Sequence, residues 1–560
     1  MKTKRALLLL SVVALLASVF PIAPGHAAPV PEGATWTEVF FPSEDGTMLH
    51  ADVLRPAHLS EKAKTPVILS IGPYFGSGGS LDSYDPDAQG PIDRFRDLWE
   101  GGDIFKRGYT WVQVDSRGFG SSGGCTDYGG PGEQMDVKAA VEWAATQPWS
   151  TGKVGMWGKS YDAWTQVMAL AHKPKGLAAA VIQSPVLETY RIQYMNGIHY
   201  SVNWYLTPAL YSVLYDLAPP STADATPEEF AYSTAGTATN PHCYAENIVM
   251  TKVPLKDIPY WQERDIIAEA AKAKTPTLWS FGFLDANTKP DNFLPVYSKL
   301  RGPKTAWFGQ YDHVRGNEVQ FVGKDGFMDQ AMRWFDHYLK GMPLAKAPVH
   351  KDPKVTVQQG DGKWRLESQW PPSDARYYSL PLAAGTYEDE RTNTAATPTS
   401  GTWTFTQPMP YDVHFAGVPK LKVDVQTASP RANLIALVYS VSRDGTARLI
   451  TRGALAVDGS KEVAFDLYPQ DYRIPKGSRI GIFISGSDTS WFEPQVYSQL
   501  PVEVTGGSLS LPFLSFDRDE FVEGKAATAM LQWPVTSVDE GMIKEREKKA
   551  KLPPPMKEQR

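Results

Sequence analysis

Cysteine is nearly absent from this chain: Cys125 and Cys243 are the only two among 560 residues. They allow either one disulfide closing a long loop or two separate thiols. No CxxC, HExxH or comparable cluster of ligands occurs, so neither a structural metal nor a cofactor is expected. Neither sign of charge dominates, with 56 Lys and Arg against 62 Asp and Glu. The net charge of -6 offers no electrostatic footprint for nucleic acid. Long apolar runs are missing beyond the first twenty or so residues, which leaves nothing else able to span a bilayer. Hydrophobic residues at 42% and charged residues at 21% are globular values and argue against a disordered, fibrous or multi-span protein. Aromatics are plentiful instead, and 17 Trp suit a secreted hydrolase or a β-rich module with aromatic contacts.

The one long apolar run, Ala6 to about Phe20, follows Lys2, Lys4 and Arg5 and precedes Pro21, Pro24, Gly25 and Ala27. That is the three-part layout of a secretory signal peptide, expected over residues 1–27, and it predicts a secreted protein. Loss of its three positive charges takes the net charge to -9.

Between residues 35 and 186 the pattern alternates. Thr37 to Phe41 and Met48 to Leu54 flank the turn-forming Ser43-Glu44-Asp45-Gly46 and predict a hairpin. Val67 to Ile71, Tyr109 to Val114, Val154 to Trp157 and Ala178 to Ile182 are short apolar runs bounded by turn formers, as buried parallel strands are. Val137, Val141 and Ala144 recur at helical spacing. From 187 to 275 the rhythm breaks into helix-like pieces rich in Tyr, Trp and Pro, read as an inserted helical cap. Strand-like runs resume at Thr277 to Phe281 and Thr305 to Phe308, and an amphipathic helix over Phe327 to Leu339 closes the α/β unit within 276–345. Residues 350–538, beginning with Val355 to Val357, carry the short alternating runs of an all-β sandwich. The charged, proline-bearing tail 544–560 is expected to be disordered.

Chemistry concentrates where an apolar strand runs through Gly158-Lys159-Ser160-Tyr161 straight into an apolar helix. A hydroxyl on such a strand-to-helix turn stands above the sheet edge, close to the amides of the helix N-terminus. The local pattern departs from GxSxG because its last position is Asp162. The alternative role for Ser160 is a helix cap. A nucleophilic serine needs a base, and the base needs a carboxylate to fix its tautomer; on an α/β sheet the order is serine, acid, histidine. Asp285 and His313 satisfy that order, each in the loop after a resumed strand. Asp291 and Asp312 are read as solvated or capping carboxylates, and His337 as structural within its helix. The Tyr161 amide is the expected first oxyanion donor, and Tyr74, after the Val67 to Ile71 strand, the expected second; packing beneath the cap is the other role for Tyr74. The glycine-rich run Val114 to Gly130 lacks the ending of a phosphate loop and is read as a flexible surface turn.

Taken together, GYTWVQVDSRGFGSSGG, GKSY, GFLDANTKP, YDH, RWFDHYLKG and KWRLESQWPP resemble the X-prolyl dipeptidyl-peptidase and cocaine-esterase type of serine hydrolases. The resemblance runs from about Thr37 to Leu531. It implies an α/β-hydrolase core with an inserted helical cap and a C-terminal jelly-roll sandwich of the galactose-binding-like kind. It also implies a triad of Ser160, Asp285 and His313, with the Tyr74 hydroxyl in the oxyanion hole. The run Asp285 to Lys289 is similar to the Asp-x-Asn-x-Lys of the peptidase branch, whose cap also supplies a carboxylate for the substrate's ammonium; Glu188, Asp216 and Glu246 are candidates, with a solvated surface role as the alternative for each. The expected activity is X-Pro dipeptidyl-peptidase through an acyl-enzyme. Carboxylesterase or amide and β-lactam acylase is the alternative within the family, and a non-catalytic carbohydrate-binding protein the alternative outside it. A small peptide or ester is the expected partner, with no nucleic acid and no membrane for the mature chain; a homo-oligomer is allowed.

Overall fold

The computed structural model describes residues 30–75, 90–201 and 242–558. The expected signal peptide lies outside the described residues, as do residues 202–241 of the expected cap. The chain divides into two compact units.

In the first unit, β1 (Ala34–Pro42) and β2 (Met48–Pro56) form the expected antiparallel hairpin. β3 (Thr65–Gly72) and β4 (Thr110–Asp115) are parallel, and the order is β1-β2-β4-β3. Both β3 and β4 are buried along their whole length, which is why they read as continuous apolar runs rather than alternating ones. The helix Pro131–Thr146 has Pro at its start, where the missing N–H costs nothing, and buries Val137, Val141 and Ala144. Cys125 of this unit is disulfide-bonded, and the sequence holds one other cysteine, Cys243.

The glycine-rich run after β4 is not the flexible surface turn expected. Asp115 Oδ2 accepts the Ser121 amide at 3.1 Å and the Ser122 hydroxyl donates to the Asp115 carbonyl at 2.7 Å. Arg117 grips Asp136 with two hydrogen bonds of 2.7 Å. Glycine here serves close packing, a purpose composition does not separate from mobility.

The second unit takes over at Gly155, halfway along β5 (Ser150–Lys159). β6 (Leu177–Gln183) follows, and after the helix Thr189–Gln193 comes a two-residue hairpin of β7 (Tyr194–Met195) and β8 (Ile198–His199). β9 (Thr277–Gly282) and β10 (Lys304–Gly309) then extend the parallel sheet in the order β5-β6-β9-β10. The helix Phe327–Tyr338 buries Phe327, Ala331, Trp334 and Phe335 on one face, as its spacing predicts.

Two strands within the span expected to form the sandwich belong to this sheet instead, and of these only Val355 to Val357 reads as a strand in the sequence. β11 (Val355–Gln358) pairs parallel with β10, and β12 (Trp364–Glu367) pairs antiparallel with β11. Val355-Thr356-Val357 would be buried in either sheet, so its apolar pattern carries no information on the choice of partner.

The sandwich proper starts at Ala375. Seven strands form one sheet around Pro501–Leu514, and six form the other around Ala432–Val441 and Arg479–Ser485. All ten residues of Ala432–Val441 are buried. Leu434, Ala436 and Val438 face Leu421 and Val423 of the opposite sheet. Ile435, Leu437 and Tyr439 face a second core that includes Met195, Ile198 and Tyr200 of the insert. The six-stranded sheet is therefore covered on both faces.

The C-terminal tail is ordered, against expectation. Glu547–Lys548 pairs parallel with Phe405 and Thr406. Gln407 exchanges hydrogen bonds with both the carbonyl (2.7 Å) and the amide (2.8 Å) of Ala550. Ile543, Ala550 and Leu552 pack on the sandwich cores, so a few apolar residues interleaved with charges suffice to dock it. Among the described residues no helix is long and apolar enough to cross a membrane.

Candidate active site

Ser160 lies between β5 and the helix Tyr161–His172 with φ 66° and ψ -121°. A non-glycine residue there stores backbone strain of about 1–3 kcal/mol, and such strain persists only where the surroundings over-determine it. They do so here: the Ser160 amide donates to the Gln183 carbonyl at the end of β6 (3.0 Å), while its carbonyl accepts from Ala163 (3.1 Å) and Trp164 (2.9 Å). Gly158 makes the turn feasible, because a β-carbon on it would stand 2.5 Å from Asp162 Cβ and 2.6 Å from the Asp162 carbonyl oxygen. Close approach of strand and helix is thus secured by Gly158 and tolerates Asp162, which is wholly buried. Tyr161 is the first helical residue, where backbone amides point out of the helix and favour negative charge.

Asp285 and His313 come from the loops after β9 and β10, and the two loops are stapled together. Asp312 Oδ1 accepts the amides of Ala286 (2.8 Å) and His313 (2.7 Å). His313 Nδ1 then lies 2.9 Å from Asp285 Oδ2. The other Asp285 oxygen accepts the amides of Asn287 and Thr288, both at 2.8 Å, and the Thr288 hydroxyl reaches Oδ2 at 2.9 Å. Burial alone would raise this carboxyl, but the charge of His313 and the hydrogen bonds of His313 and Thr288 outweigh it and hold it down at about 2. With Nδ1 committed to Asp285, Nε2 is the ring nitrogen left to exchange a proton.

The loop bearing His313 is also tied to the strand that holds Ser160. The Gly316 amide donates to Gln183 Oε1 at 2.8 Å, and the Ser184 hydroxyl reaches the Val314 carbonyl at 3.5 Å. Gln183 thereby links both segments, through its carbonyl to Ser160 and through its side chain to Gly316. Neither Gln183 nor the Asp312 staple was readable from sequence, since each works through partners distant in the chain. Thr288 was readable, being three residues after an aspartate whose carboxylate its amide and hydroxyl can reach.

Ser160, Tyr161, Asp285 and His313 all belong to the second unit. Tyr74 belongs to the first, half-buried in the turn after β3 with the Arg94 guanidinium 3.8 Å from its ring centroid. Of the candidates for an ammonium-binding carboxylate, Glu246 is exposed and Asp216 lies outside the described residues. Glu188 is buried rather than solvated, and its Oε1 lies 3.1 Å from both Arg191 and Lys256. Burial raises its carboxyl against the opposing pull of these cations. Asp291, expected to be solvated or capping, lies 3.4 Å from Arg191. In the first unit Glu38, His50 and Asp52 bring potential ligand atoms within 4.8 Å of one another. Those atoms already serve hydrogen bonds: Asp52 accepts from Trp36 (2.7 Å) and Gln113 (2.9 Å), and His50 meets Asp115 (2.9 Å) and Glu38 (3.2 Å).

A serine on a strained strand-to-helix turn, with a histidine and an aspartate on later loops of one parallel sheet, defines an α/β-hydrolase. Residues 45–315 match the family X-Pro dipeptidyl-peptidase (S15 family), and residues 348–500 match the X-Pro dipeptidyl-peptidase C-terminal non-catalytic domain. A Streptomyces avermitilis protein provisionally named Xaa-Pro dipeptidyl-peptidase is 25% identical over 443 residues, 70% of this chain and 61% of that protein. The cocaine esterase of a Rhodococcus species is 26% identical over 373 residues, 58% of this chain and 63% of the esterase. The solved structure of a CocE/NonD family hydrolase from Staphylococcus aureus superposes with a TM-score of 0.67 at 16% identity, over 87% of this chain and 98% of that one. The chain belongs to the X-Pro dipeptidyl-peptidase and cocaine-esterase type family, and it is a serine hydrolase.

Proposed function

We propose that this chain is a secreted X-Pro dipeptidyl-peptidase that works through an acyl-enzyme on Ser160. His313 Nε2 takes the Ser160 proton as Oγ adds to the scissile carbonyl, and Asp285 stabilises the imidazolium. The Tyr161 amide receives the oxyanion. His313 returns the proton to the leaving amine, and water then attacks the acyl ester by the same route in reverse. The observation that carries this reading is the 2.9 Å pairing of His313 Nδ1 with Asp285, in a loop tied through Gln183 to the Ser160 turn.

A second reading, carboxylesterase or acylase, draws support from Glu188. Its charge is already met by Arg191 and Lys256, which leaves it little attraction for a substrate ammonium. An Ala-Pro chromogenic amide, a short-chain nitrophenyl ester and an insoluble glycan separate the cases. Amide turnover supports the peptidase, ester turnover alone the esterase, and glycan retention without turnover a binding protein. Ser160→Ala should abolish turnover and labelling by a fluorophosphonate probe; retained labelling would overturn the assignment.

A further inference from the structure

We propose that Lys289 is a positioning residue for the catalytic acid, and that Tyr200 of the insert and Trp491 of the β-sandwich hold it in place. This rests on the triad reading above. Lys289 has φ 72° and ψ 138°, a region that disfavours residues with a side chain, yet it is not glycine. Its side chain therefore has to justify the strain. It is 2% exposed, and its ammonium folds back to donate to the carbonyl of Ala286, closing the loop that carries Asp285. The same nitrogen stands 4.5 Å from the ring centroid of Tyr200 and 5.1 Å from that of Trp491.

Burial lowers this amine to about 7 against the pull of Asp285, Asp312 and Asp291, and the two aromatic faces form a box in which cation–π attraction offsets part of the hydration its protonated form loses. The box is rigid. The hydroxyls of Tyr200 and Tyr468 are 2.9 Å apart, and Trp491 Nε1 donates to Tyr468 at 2.9 Å. Ala286 packs against the same core. The loop that presents three donors to the Asp285 carboxylate is thus fixed at its far end by a strand-to-strand loop of the sandwich. A displacement there moves Asn287 and Thr288, and with them the carboxylate that orients His313. In this chain the C-terminal domain contributes a wall to the catalytic apparatus.

The test compares Lys289→Met, which deletes the charge, Lys289→Gly, which also relieves the backbone, and Trp491→Leu, which removes one wall from the sandwich side. Each is made in the full-length protein and again with Asp285→Asn. The readouts are kcat and KM on whichever chromogenic amide or ester is turned over, the fluorophosphonate labelling rate, and the thermal midpoint. Lys289→Met and Lys289→Gly should lower kcat and labelling about 10- to 100-fold with KM changed less than about threefold, as expected for a misplaced catalytic group. With Asp285→Asn already present, Lys289→Met should cost less than about threefold more, because both changes remove one function. Near-normal kcat in Lys289→Gly, or an equal loss from Lys289→Met in both backgrounds, would overturn the proposal. Should Lys289→Met fail to fold, Lys289→Gly and Trp491→Leu decide by the same criteria. An Asp285→Asn enzyme as active as wild type would overturn the triad itself, whereas an impaired one beside a silent Lys289→Met overturns this proposal alone.

Discussion

The carbonyl oxygen of Tyr311 lies 1.9 Å from the point where a β-carbon on Gly282 would stand. The loop bearing His313 therefore rests directly on the end of β9, and the Leu284 amide reaches the same carbonyl at 3.3 Å. Gly282→Ala should push the two loops apart. We expect a fall in kcat of at least about tenfold, together with a lowered thermal midpoint, because backbone rather than a flexible side chain has to yield. Unchanged kinetics in Gly282→Ala would show that this contact does not set the spacing.

Asp285→Asn should reduce kcat about 10³- to 10⁴-fold at pH 7 by leaving His313 in the wrong tautomer. It should also alter acid stability. The folded carboxyl is held at about 2, below the unfolded value near 3.9, so its contribution is present above about pH 4 and is lost as pH falls through 2. Urea midpoints of wild type and variant should differ by a constant amount from pH 7 to about 4 and converge below that. Divergence on acidification would contradict the assignment.

His50 gives the opposite pH signature in the first unit. Burial alone would lower its pKa, but the hydrogen bonds of Asp115 and Glu38 overcome burial and raise it well above 6.5. Asp52 nearby is pushed up to about 6 by burial. The stability due to the imidazolium is full below the unfolded value near 6.5 and disappears as pH climbs through the higher folded one. His50→Gln should cost about 3 kcal/mol near pH 5.5, the penalty of leaving the buried Asp115 carboxylate without its cation, and less near pH 9.5. Denaturant midpoints at the two pH values measure this, and a gap that widens with pH would exclude it.

Reduction of the disulfide at Cys125 should destabilise the protein by about 2–4 kcal/mol through the added freedom of the unfolded chain. A thermal midpoint unmoved by a reductant that demonstrably frees both thiols would contradict that.

Much of the α/β pattern could be read in advance because buried parallel strands and amphipathic helices announce themselves locally. Val67 to Ile71 and Phe327 to Leu339 are examples. The placement of Ser160, Asp285 and His313 just after successive strands was legible for another reason: topology orders those loops along the chain, whatever the packing. What escaped depends on partner choice. Val355-Thr356-Val357 could have joined either sheet, Asp115 and Arg117 needed distant partners to turn a glycine-rich run into a buried one, and Asp312 looked like any loop carboxylate. The tail misled because Ile543, Ala550 and Leu552 are diluted among charges and gain meaning only beside a ready surface.

That docked tail has a consequence for handling the molecule. Phe405 and Thr406 lie on the outermost strand of their sheet until Glu547 and Lys548 hydrogen-bond to them. A protein clipped after Ile543 would bare that rim and offer a template to any passing extended segment, including the same rim of another copy. Preparations shortened by proteolysis at the C-terminus should therefore turn sticky before they turn inactive.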